Sequence, residues 1–243
     1  MGYNKGDTYE EKIFDIFKNK GLLKPGTLRA GAGGKPDIMF LHNGKEYNLE
    51  AKENQGADYG QKYLKWENDK LVWRVDDSTT KLYTKCGVLN FVNEVNRARK
   101  FPINKIIKND LEITRMDNKE DQNFFDMKFK IPQSNNLLAQ FYNEKDVHYI
   151  QIGTHSVVPD GKKTGKKTPC GFYHLGSDPA NLGTTEFDGY MLIRLRAKVI
   201  RSDPPSNYNL TSVLKYFPSI KNATMSKFNI EENDGQEFPP IKP

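Results

Sequence analysis

Cysteine is nearly missing. Cys86 and Cys170 are the only two in 243 residues and stand far apart, so neither a disulfide scaffold nor a thiolate zinc site is expected and a reducing, intracellular setting follows. The four histidines, His42, His148, His155 and His174, have none of the short spacings with which imidazoles gather a metal. His42 is expected to be solvated in a turn. No apolar run is long enough to cross a bilayer, and Met1 to Gly6 is too polar to begin a secretory leader. No internal repeat is visible. The glycine-rich stretch Arg29 to Lys35 lacks the Gly-Lys-Ser/Thr of a Walker loop and does not follow a strand, as a dinucleotide fingerprint would. Basic residues, in contrast, are in excess: 37 Lys and Arg against 31 Asp and Glu give a net charge of +6, which suits a polyanionic partner.

The most informative residues are Pro36-Asp37 and Glu50-Ala51-Lys52. Asn43-Gly44 between them is a favoured two-residue hairpin turn. Closing the turn there pairs Leu41 with Glu46, Phe40 with Tyr47, Ile38 with Leu49 and Asp37 with Glu50. Alternation then puts Ile38, Phe40, Tyr47, Leu49 and Ala51 on one face and Asp37, Met39, Asn48, Glu50 and Lys52 on the other. The first face is apolar and the second charged. Two carboxylates directly opposite each other repel unless a proton, a cation or a lysine lies between them. Mg²⁺, a hard cation that prefers oxygen ligands, would remove the conflict with Mn²⁺ as a substitute, and Lys52 stands alongside. Ahead of the hairpin, Thr8-Tyr9-Glu10-Glu11 forms a capping-box pattern that predicts a helix from about Thr8 to Asn19. Glu10 shares its stripe with Ile13, Phe14 and Phe17, an unusual place for an acid.

This arrangement resembles the PD-(D/E)XK nuclease superfamily over roughly the first third of the chain. Pro159-Asp160-Gly161-Lys162, Glu10-Glu11-Lys12 and Asp126-Met127-Lys128 match fragments of the same pattern, and only the hairpin has the turn and the two-faced alternation. The resemblance implies a mixed α/β fold with an αβββαβ core. It also implies hydrolysis of phosphodiesters to 5′-phosphate and 3′-hydroxyl ends. Asp37 and Glu50 would hold Mg²⁺, Lys52 would orient the attacking water, and Glu10 would complete the site, as a first-helix glutamate does in Holliday junction resolvases. Gln61, on a helix expected over Ala57 to Asp69, would reach the same place. Leu71 to Val75 is expected as a strand and Val88 to Lys100 as a helix.

The chain changes character near Ile131 to Asn136, which marks a boundary between a nuclease core, 1–132, and a β-rich basic lobe, 133–230; an acidic, proline-rich tail, 231–243, is expected to be poorly ordered. Val147 to Gly153 and Tyr190 to Ile200 read as strands, the second carrying Arg194, Arg196 and Lys198 on one side. With Arg29 and Lys35 near the hairpin and Lys162, Lys163, Lys166 and Lys167 in a loop, these residues suit contact with double-stranded DNA. A small core with a large basic appendage looks most like a type II restriction endonuclease, cytoplasmic, from a microbe or phage, and acting as a homodimer. A junction-resolving or repair endonuclease and an inactive nuclease-fold DNA-binding protein remain open, as does RNA as a substrate.

Overall fold

The computed structural model describes residues 5–29, 36–54, 57–68, 70–85, 87–94, 127–130, 137–155, 170–187, 189–200, 207–218, 226–231 and 241–243. In chain order the elements are α1 (Lys5–Asn19), β1 (Ile38–His42), β2 (Lys45–Asn54), β3 (Asp58–Glu67), β4 (Lys70–Trp73), α2 (Ser78–Lys85), α3 (Val88–Glu94), β5 (Met127–Lys130), α4 (Leu137–Asn143), β6 (Val147–His155), β7 (Gly171–His174), β8 (Thr185–Glu186), β9 (Gly189–Ile200) and β10 (Asn207–Pro218). The fold is mixed α/β. Among the described residues the strands form two five-stranded sheets, ordered β1-β2-β6-β7-β8 and β4-β3-β10-β9-β5.

The chain forms two units, each discontinuous in sequence: Met1–Ala57, Asn135–Tyr190 and Tyr216–Pro243 make the first, and Asp58–Ser134 with Met191–Lys215 the second. The expected boundary at residue 132, with 133–230 as a separate lobe, is therefore corrected. The reason is one strand. Val147 to Gly153 was expected to belong to the later lobe, yet β6 runs parallel to β2, with Glu50 opposite Ile150, Ala51 opposite Gln151 and Lys52 opposite Ile152.

The first hairpin has the expected register, Ile38 opposite Leu49 and Phe40 opposite Tyr47. Asn43 (φ 49°) and Gly44 (φ 72°) both take the left-handed conformation that a two-residue turn of this type requires. Ile38, Phe40, Leu49 and Ala51 are at most 3% exposed and pack against Tyr9, Ile13, Phe14 and Phe17 of α1. Each large side chain so buried contributes about 1.5–3 kcal/mol, which fixes the hairpin's inner face. Tyr149 and Phe172 extend this cluster across β6 and β7, their rings stacked 5.4 Å apart. Alternation along β6 sends Ile150 and Ile152, both fully buried, to the opposite face. Leu138, Phe141 and Tyr142 of α4 are buried as well.

Helix α1 begins at Lys5, not at the capping box, so Thr8 lies exposed within the helix and Glu10 falls in its second turn. Arg29 Nη1 donates to the Asp7 carbonyl at 2.6 Å, tying the loop after the helix back to its start.

Gln151 points into the α1 side of the sheet with no exposure, and its amide is satisfied there. Its Nε2 donates to Asn229 Oδ1 at 2.8 Å, and its Oε1 accepts from the Ile230 N–H at 3.2 Å. Those bonds anchor residues 226–231 on the core, and Glu231 pairs with Lys12 at 3.0 Å. The last residues are also attached. Asn43 N–H donates to the Lys242 carbonyl at 2.9 Å, and Lys242 N–H donates to His42 Nδ1 at 3.2 Å. Within the tail that was expected to be poorly ordered, Glu231 and Lys242 make these contacts, while 232–240 lie outside the described residues. His42, expected in solvent, is 7% exposed, and burial lowers its pKa.

In the second unit the helix expected over Ala57 to Asp69 is instead β3. It is paired with β4 through a turn whose Asn68 has φ 49°. Gly60 disfavours a helix, whereas Tyr59, Tyr63 and Trp66 favour a strand. Asn93 of α3 serves the edge strand β4, accepting from Leu71 N–H at 2.7 Å and donating to the Leu71 carbonyl at 3.0 Å. The strand expected over Leu71 to Val75 is β4, and of the helix expected over Val88 to Lys100 the described part is α3. Helix α2 was not anticipated; Asp77 and Thr80 cap it reciprocally, Thr80 N–H to Asp77 Oδ1 and Asp77 N–H to Thr80 Oγ1, each 2.9 Å.

Gly153 lies so close to β2 that a Cβ there would sit 2.2 Å from the Glu53 carbonyl oxygen and 3.0 Å from the Tyr9 ring. Gly153→Ala is expected to destabilise the protein by about 1–3 kcal/mol, as overpacking does. A urea-unfolding midpoint equal to the parent's would contradict this spacing of β2 and β6.

Candidate functional site

Asp37 stands immediately before β1, where its Oδ2 accepts a 2.8 Å hydrogen bond from the Ala51 backbone N–H. The bond crosses the hairpin and holds the carboxylate beside Glu50. Glu50 lies mid-strand in β2, and its Oε1 accepts from Lys52 Nζ at 2.5 Å and from Tyr142 OH at 3.1 Å. Both charged side chains are largely shielded, with 16% exposure for Lys52 and 13% for Glu50. An ordinary solvated strand face would leave such a pair in water, where it contributes about 0–1 kcal/mol.

Shielding decides the electrostatics. Burial, and then repulsion from Glu50, push Asp37 from 3.8 up to about 7, outweighing the opposing pull of Lys52 and of the Ala51 N–H. For Lys52, burial alone would lower the pKa, but Glu50 and Asp37 more than reverse it and hold the ammonium above its usual range. Glu10 is half-buried on α1. Burial raises its pKa, Lys52 draws it down and Glu50 pushes it up, so it lies within the field of the same cluster. Two acids and one amine thus share a place where negative charge exceeds positive, and near neutrality a proton on Asp37 offsets part of the excess.

Of the residues expected at the site, Asp37, Glu50 and Lys52 are brought together, and Glu10 is coupled to them electrostatically. The acids do not make a closed cage: among the described residues no group of three or more His, Cys, Asp and Glu stands ready to hold a metal ion. Gln61 lies on β3 in the second unit, not on a helix, and its amide donates to Tyr63 OH at 2.9 Å. Arg29 adds positive charge that lowers the pKa of Glu10. Arg194, Arg196 and Lys198 are on β9, with Arg194 opposite Lys128 of β5, and their side chains are not described. Lys35, Lys162, Lys163, Lys166 and Lys167 lie outside the described residues. Among the described residues no helix is long and apolar enough to cross a membrane.

Tyr142 was not anticipated, although the run Leu137 to Asn143 ahead of an apolar strand carried a signal for a helix crossing to a parallel strand. A second constellation was also missed: Ser177 Oγ lies 3.2 Å from His148 Nδ1, and His148 Nε2 lies 3.4 Å from Asp146 Oδ1. Asp146 is 84% exposed, so it lacks the burial with which an aspartate orients and polarises a catalytic histidine. No protein-family model, curated protein or solved structure matches this chain.

The raised pKa of Asp37 fixes a pH dependence. Because the folded state binds this proton more tightly than the unfolded state, its contribution to stability is complete below the ordinary aspartate range and is lost as pH rises through about 7. Asp37→Asn retains an acceptor for the Ala51 N–H and removes the charge. In EDTA it should melt above the parent at pH 8, by about 2–4 °C for each kcal/mol of repulsion relieved, with the gap narrowing towards pH 5. Thermal melts at the two pH values check this, and an equal gap at both would contradict it.

Proposed function

We propose that the protein is a Mg²⁺-dependent endonuclease of the PD-(D/E)XK kind, cutting double-stranded DNA to 5′-phosphate and 3′-hydroxyl ends. The observation that carries this reading is the shielded juxtaposition of Asp37, Glu50 and Lys52, with Asp37 raised to about 7. The donor set fits a hard divalent cation, since it offers carboxylate oxygens and carries an excess of negative charge. Asp37 and Glu50 would hold the ion, with Glu10 as the third acid in their field. Bound there, it would lower the pKa of a water and offset charge developing on the phosphate. The fold lends support: α1, the β1–β2 hairpin, α4 and a β6 parallel to β2 give most of an αβββαβ order, β3 having joined the other sheet.

The protein's own residues divide the work. The Ala51 N–H fixes the Asp37 carboxylate, and Glu50 presents the facing one from β2. Lys52 stays charged through the neutral range, so once turned from Glu50 it can orient the attacking water and draw density from the phosphate. Basic residues, namely Arg29, Lys35, Lys162, Lys163, Lys166 and Lys167 with Arg194, Arg196 and Lys198 of β9, would neutralise phosphates and read base edges. Sequence-specific cutting by a homodimer, as in type II restriction, is the form we favour. Glu10 within the field of Lys52 and Glu50 favours a second reading, a structure-selective enzyme of junction-resolving type.

A supercoiled plasmid digested in Mg²⁺ separates the two: discrete, reproducible fragments mark sequence-specific cutting, and cleavage confined to branched DNA marks the alternative. Lys52→Ala and Asp37→Ala should each lose at least about a hundredfold in rate while still shifting DNA in a gel. Either variant, shown folded, cutting at the parental rate would overturn the assignment. Added Mg²⁺ should also raise the melting temperature of the parent but not of Asp37→Ala.

A further inference from the structure

Glu50 is held through one oxygen by two donors of different character. Lys52 Nζ and Tyr142 OH both donate to Oε1, and neither occupies Oε2. Tyr142 is 2% exposed on α4, with its ring centroid 5.0 Å from that of Phe141. Its hydroxyl therefore reaches Glu50 from a buried ring on the helix, on the face of β2 that carries the carboxylate. The two donors respond differently to a cation. A divalent ion beside Glu50 repels the Lys52 ammonium, whereas a neutral phenol is indifferent to it and its bond to the carboxylate persists.

We propose that Tyr142 is a positioning residue that keeps Glu50 pinned by Oε1, presents Oε2 to the divalent cation, and holds that orientation while Lys52 leaves for the reacting phosphate. This rests on the nuclease reading above. An unpinned glutamate on a strand has three side-chain torsions to order when the ion arrives, and the phenol orders them in advance.

Tyr142→Phe removes only the hydroxyl and keeps the ring, so the core should persist. Calorimetric titration with Mn²⁺ should show about tenfold weaker binding, the change that about 1.4 kcal/mol makes. The Mn²⁺ concentration for half-maximal cleavage should rise by the same factor, while kcat at saturating Mn²⁺ stays within about threefold of the parent. In EDTA the melting temperature should fall by no more than the loss of one hydrogen bond to a carboxylate allows, about 3–6 °C, and the weaker Mn²⁺ binding should persist at temperatures where both proteins are fully folded. If the parent binds Mn²⁺ and cuts DNA but Tyr142→Phe binds Mn²⁺ equally well, this inference falls and the nuclease reading stands. A loss of affinity that only accompanies a large drop in stability also overturns it. If the parent neither binds Mn²⁺ nor cuts, both fall together.

Discussion

Two carboxylates and one ammonium in a shielded strand face are the constraint around which the first unit is arranged. What holds them there is the opposite face of the same hairpin. Ile38, Phe40, Leu49 and Ala51 are buried against α1, so a register slip of one residue would turn Glu50 and Lys52 into that core and expose the apolar set. The hydrophobic loss would run to several times about 1.5–3 kcal/mol, well beyond any relief from separating like charges. Packing on one side of the sheet thus enforces electrostatic frustration on the other.

Strand β6 is the second requirement. It lies parallel to β2 and places Tyr149 and Gln151 on the α1 side and Ile150 and Ile152 on the other, all four fully buried. A strand covered on both faces needs helices on each side and a long connection back to its parallel neighbour. Here that connection includes the greater part of the second unit and ends in α4, the helix that delivers Tyr142 to Glu50. Gln151 is a polar side chain inside this core, and its bonds to Asn229 and Ile230 make the segment 226–231 part of the same unit. The charged face is consequently assembled from parts of the chain far apart in sequence.

That separation explains what was legible in the sequence. The hairpin could be read because everything specifying it is local: Asn43-Gly44 for the turn, period-two alternation for the faces, and the pairing that brings Asp37 to Glu50. Glu10 could be suspected from its place on an apolar stripe. The division of the chain could not be read, because Val147 to Gly153 is an apolar run whose partner is chosen by long-range packing, and nothing beside it names β2. Gln61 was misplaced for a different reason. Asp58 to Glu67 has helix-compatible charge, but Gly60, the aromatic residues and the turn at Asn68 outweigh it. At the end of the chain, composition is silent about the bonds by which Lys242 meets the hairpin, one to the Asn43 backbone and one to the His42 ring.

A comparison within the molecule shows why burial, and not the motif, carries the functional reading. Lys65 and Glu67 on β3 have the same two-residue spacing as Glu50 and Lys52 and pair at 3.1 Å, yet their side chains are 43% and 50% exposed. That pair can be lost to solvent at little cost, and its geometry implies nothing beyond a soluble strand. The Glu50–Lys52 pair is shielded, faces a second acid and receives a buried tyrosine, in a setting where well-packed apolar residues of similar size would be as stable or more so. Charge retained where packing alone would do better is what the proposed divalent-cation site rests on, since carboxylate oxygens in a negative field are the donors such an ion prefers.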